Sequence, residues 1–106
     1  MVCRLQALSD TIQRGPIPAG LTQSLERGTT RAELTSAKIV GLIARGRFRA
    51  ARRQRHELET RVKALAALLD SRAAQAQIPD ALRGDLVARV SRLRQDVHAL
   101  RFSAGG

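Results

Sequence analysis

Six arginines, Arg45, Arg47, Arg49, Arg52, Arg53 and Arg55, fall within eleven residues of this chain. A guanidinium group stays charged at any physiological pH and presents its donors as a planar fork, a shape suited to bidentate hydrogen bonding with phosphate oxygens. Spaced along a helix, such groups would track a nucleic-acid backbone or enter a groove. The plainer alternative is a solvated helix face whose charges are partly neutralised by Glu57, Glu59 or Asp70. There is no Trp or Tyr, and Phe48 and Phe102 are the only aromatic residues. Base stacking has little to work with, so the expected contacts are to the backbone of DNA or RNA, with weak sequence preference.

No other residue set offers chemistry of comparable weight. His56 and His98 fall on helix faces away from the apolar stripes, and the sequence holds no HExxH, no paired-cysteine spacing and no glycine-rich phosphate loop. Cys3, the single cysteine, lies opposite the apolar side of its segment and has no evident base, so it reads as a free thiol. The expectation is a non-enzymatic protein with no cofactor and no metal site. A lone cysteine excludes an intrachain disulfide, and the chain lacks both a run of about 18 apolar residues and a secretory apolar block. A cytoplasmic protein without membrane contact is expected. A basic helix lying on an anionic membrane is the weaker alternative, since no Trp is available for the boundary.

The charge balance points the same way. Seventeen Arg and two Lys against nine acids leave +10 over 106 residues, distributed as +2 for residues 1–44, +6 for 45–76 and +2 for 77–106. A surplus of this size repels itself in a compact monomer and is most simply matched by an anionic partner.

The elements that must hold these arginines are helical, and an all-α fold is expected. Met1, Leu5, Leu8 and Ile12 share one side of a short amphipathic helix that ends before the rigid GPIPAG turn. Leu21 and Leu25 fit a second short helix closed by Gly28, and Thr30 with Glu33 has the capping-box spacing that would start a third. That third segment ends in IVGLIA, apolar all round. It reads either as a core helix beneath the rest or as a protein interface formed by Ile39, Val40, Leu42 and Ile43. Gly46 kinks or separates the chain before a long helix over about 47–76, in which Leu58, Val62, Leu65 and Leu69 form one stripe. After Ile78, Pro79 and Asp80, a last helix to about residue 102 carries Leu82, Leu86, Val90, Leu93, Val97 and Leu100. The matched stripes imply an antiparallel hairpin over residues 46–102, with 1–45 a short-helix N-terminal region of the same single domain and 103–106 a frayed tail. In this register Val97 meets Val62, Leu100 meets Leu58, and the last helix runs out opposite Arg55 or His56. Residues 45–54 then overhang unless N-terminal helices cover Phe48 and Ala51.

Ala50 to Arg55, AARRQR, resembles the basic region of basic leucine-zipper proteins, and Leu65 stands where that family's first zipper leucine would be. The resemblance covers about 20 residues and implies a helix laid along DNA. It departs at Arg47, where the family has its groove-reading Asn, at Gln54 in place of Ser or Cys, at Arg72 in the next heptad position, and at Pro79. A helix-turn-helix fits in two imperfect registers, with Gly28 or Gly41 as the turn glycine. Taken together, the residues suggest a small basic subunit that binds nucleic-acid backbone, within a larger nucleoprotein or phage-type assembly and with a protein partner or a second copy. The rival reading is a helical adaptor or chaperone-like module that receives a partner helix or an acidic protein.

Overall fold

The computed structural model describes residues 2–100. The expected tail at 103–106, the last two residues of the expected C-terminal helix and Met1 lie outside the described residues. The fold is all-α: α1 Val2–Arg14, α2 Ala19–Ala44, α3 Phe48–Leu69, a short α4 Arg72–Gln77, and α5 Asp80–His98. Helix α2 packs on α1 and most extensively on α3, while α5 packs on α3 and α1. The four longer helices therefore close a ring around one core, to which α1 contributes Leu5, Leu8 and Ile12, each at most 1% exposed.

Local chemistry sets where the chain turns. At the end of α2 the Gly46 N–H donates to the Ile43 carbonyl and the Arg47 N–H to the Leu42 carbonyl, with Gly46 at φ 73°. This is a Schellman closure, which needs a residue free to adopt the left-handed region. Gly46 thus separates two helices and sends α3 back antiparallel along α2. Asp80 opens α5 in its first turn, where a carboxylate complements the helix dipole. Ile78, 3% exposed, tucks the preceding turn into the core.

Two expected boundaries move. Helix α2 runs unbroken through Gly28, and the Thr30–Glu33 pair lies inside it instead of capping a new helix. The reason is packing. A Cβ on residue 28 would sit 2.6 Å from Leu65 Cδ2, so glycine at this position leaves α2 room for the Leu65 side chain of α3. Small and hydroxyl-bearing residues hid the stripe from view, because Leu25, Thr29, Ala32, Ser36 and Ile39 form one continuous buried row. The Thr29 and Thr35 hydroxyls satisfy themselves by donating to the Leu25 and Arg31 carbonyls, each at 2.9 Å. The second change is at the expected long helix over 47–76, which breaks at Asp70 and Ser71. Ser71 caps α4, its Oγ accepting from the Ala74 N–H at 3.2 Å.

The hairpin register agrees with the stripes. Val62 and Val97 line the same small cleft, and Arg55 Nη1 donates to the Leu100 carbonyl at 3.4 Å. Arg4 pairs with Asp96 at 2.9 Å, which sets the start of α1 level with the end of α5. At 1.5 Å per residue α2 is about 39 Å long and α1 about 20 Å. The C-terminal part of α2 and the first two turns of α3 therefore project past the other helices as a two-helix tip, giving overall extents of 45 × 19 × 18 Å. Inside this tip Ile39 and Ala51 are buried, while Leu42, Ile43 and Phe48 are partly covered.

Replacing Leu58 by Ala should lower the unfolding free energy by about 2–5 kcal/mol, since its side chain is 0% exposed. Gly28→Leu should cost about 1–3 kcal/mol by forcing α2 off α3. Urea melts with unchanged m-values would check both.

Candidate nucleic-acid interface

The tip takes its charge from an uneven sequence. Between Glu33 and Glu57 the chain has seven basic residues and no acid. Arg45 caps α2 and Arg47 precedes α3. On α3, the buried row Ala51, Leu58, Val62, Leu65 and Leu69 fixes the core side, and Arg49 and Arg53 point about 150° or more away from it. Arg52 lies on the flank, and Arg55 is partly covered, its side chain 25% exposed. Of the six, Arg55 has a carboxylate near it, Glu59 at 4.0 Å, besides its hydrogen bond to Leu100. The side chains of Arg45, Arg47, Arg49 and Arg53 make no ion pair or hydrogen bond among the described residues.

The carboxylates do their pairing elsewhere. Glu57 accepts from Arg61 at 2.7 Å, Asp85 from Arg89 at 3.0 Å, and Asp70 lies 3.9 Å from Arg83. The start of α3 also breaks the usual rule of helix electrostatics. Its first turn has no acid and its N-cap, Arg47, makes no side-chain cap bond, so arginines stand at the positive end of the helix dipole. The dipole and the side chains add there, and an anion would relieve both.

The four residues considered as a protein interface separate in space. Ile39 is 2% exposed and belongs to the core, Leu42 and Ile43 are half-buried, and Val40 is 61% exposed on the side of α2 away from α3. Leu65, the zipper-like leucine, packs against Gly28 of the same chain. Both helix-turn-helix registers lapse, because Gly28 and Gly41 lie within α2 and neither is at a turn. His56 is exposed, and His98 lines a cleft of about 180 Å³ with Lys63, Arg94 and Glu59. Cys3 is an exposed free thiol.

Residues on α2 complete the basic surface. Lys38 and Arg45 line a groove of about 360 Å³ between α2 and α3, opposite Ala50 and Gln54, and Arg27 and Arg31 line a second groove between the same two helices. Reading the arginine run by itself missed Lys38, Arg31 and Arg27. The acid-free interval from 34 to 56 was the signal that pointed to Lys38. Among the described residues no helix is long and apolar enough to cross a membrane, and no His, Cys, Asp or Glu cluster could hold a metal ion. Comparison of the chain with protein-family models, with curated proteins and with solved structures gave no match.

The uncompensated charge should cost the isolated protein stability. Arg49→Glu would place an acid in the first turn of α3 and four residues before Arg53, so it should stabilise the free protein by about 0.5 kcal/mol at low salt. Thermal melts should show the gain shrink as salt is added, whereas a loss of stability would mean that Arg49 already has a favourable partner.

Proposed function

We propose that this protein is a non-enzymatic nucleic-acid-binding subunit that grips phosphates with the tip formed by α2 and α3. The observation that carries this reading is the set of four arginines, Arg45, Arg47, Arg49 and Arg53, whose side chains have no partner among the described residues, on a protrusion without a carboxylate. Guanidinium groups in such a setting gain most from phosphate, whose oxygens match their geometry. Binding releases condensed counterions, so affinity depends on salt more than on base sequence. A narrow basic protrusion on a bundle that also leaves apolar surface open suits a small component of a larger nucleoprotein or phage-type assembly.

One feature favours a second reading. Val40, 61% exposed, with half-buried Ile43 one turn further on, leaves an apolar side of α2 on which a partner helix could seat. An adaptor would use this side and leave the arginines to solvent.

A salt titration separates the two. With about six phosphates neutralised, log affinity against log salt should fall with a slope of roughly −4 to −5, and Arg47→Ala, Arg49→Ala and Arg53→Ala together should flatten it by about three. No binding to nucleic acid at low salt would remove the proposal in favour of the adaptor.

A further inference from the structure

The cations of the tip, with two more on α2 below it, stand in two rows. On α2, Arg27, Arg31, Lys38 and Arg45 are separated by four, seven and seven residues. At about 100° per residue this brings all four within about 40° of one another on one flank of the helix. That flank is one wall of both α2–α3 grooves. Ala50 lines the facing wall, and Arg53 and Arg49 lie about 60° and 100° round α3 from it in the same sense, along the outer lip. Axes of packed helices are about 8–10 Å apart, and the outward lean of Arg49 and Arg53 widens the separation of the rows to roughly 10–15 Å. The carboxylate on the groove side of α3, Glu57, is already held by Arg61.

We infer that the ligand of this surface is double-stranded DNA, held from outside with one row of cations on each backbone across the major groove. The inference rests on the nucleic-acid reading above and adds the form of the ligand. A single strand offers one row of phosphates. A B-form duplex offers two, on either side of a major groove about 12 Å wide, close to the spacing of the rows. One helix with its side chains is already about 10–12 Å across, so a pair of them stays outside the groove and meets phosphates instead of base edges. Proteins that hold single strands stack bases on aromatic rings. Here Phe48, the one aromatic among the described residues, is packed against the core.

Fluorescence anisotropy on the full chain tests this, using a labelled DNA duplex of about 20 base pairs and one of its strands in the same low-salt buffer. The duplex should bind at least roughly tenfold more tightly. Lys38→Ala with Arg45→Ala should weaken duplex binding by roughly tenfold and change single-strand binding by less than about twofold, because it takes two of the four cations from the α2 row and none from the α3 row. Arg49→Ala with Arg53→Ala should weaken both. Equal affinity for the two forms, or an α2-row variant that weakens both alike or neither, overturns the duplex inference and leaves backbone binding standing. Absence of binding to either form removes both claims.

Discussion

The close seating of α2 on α3 is the contact on which the molecule depends. At Gly28 the Leu65 side chain fills the space a side chain would take, and further along Ala51 is fully covered. Beyond the reach of α1 and α5, this pairing is what holds the tip together, with Ile39 and Ala51 buried and larger side chains only partly covered. Seven like charges work against it. Each close pair such as Arg49 and Arg53 costs a few tenths of a kcal/mol on a helix surface, less as salt screens it. The tip survives because it continues two helices that the rest of the bundle anchors.

That arrangement places an electrostatic conflict at the exposed tip. Through most of the chain local preference and global fold agree: Asp80 opens α5, Ser71 caps α4, and Arg89 and Arg61 pair along their own helices. At the start of α3 they disagree, with arginines where the dipole favours acids and no capping side chain. Basic residues at such an exposed end fit a surface shaped by a partner instead of by stability. A polyanion would turn these unfavourable terms favourable together, which links the electrostatics of the tip to its proposed task.

Much of the architecture was legible in the residues, and the failures have specific causes. The stripes of α3 and α5 gave their pairing, their register and the overhang of the basic segment, because Leu and Val at helical spacing leave little choice of face. The break expected at Gly28 did not occur, since glycine signals a helix end only when no neighbour needs the space its missing side chain leaves. The continuity of α2 was masked by Thr29, Ala32 and Ser36, buried positions that do not look apolar. The break at Asp70 and Ser71 is a capping event that Ala-rich surroundings concealed. At the candidate surface the arginines were plain, but the α2 contribution depended on which helix lies beside which. Spacing within one segment carries no information about that.

Site-resolved NMR of the free and DNA-bound protein addresses the central claim most directly. If unpaired cations of the α2–α3 tip receive the polyanion, backbone amide and arginine side-chain signals should shift for residues 38–53 and stay still in α1 and the first half of α5. Shifts centred instead on Lys63, Arg94 and His98, or spread evenly over the surface, would contradict it.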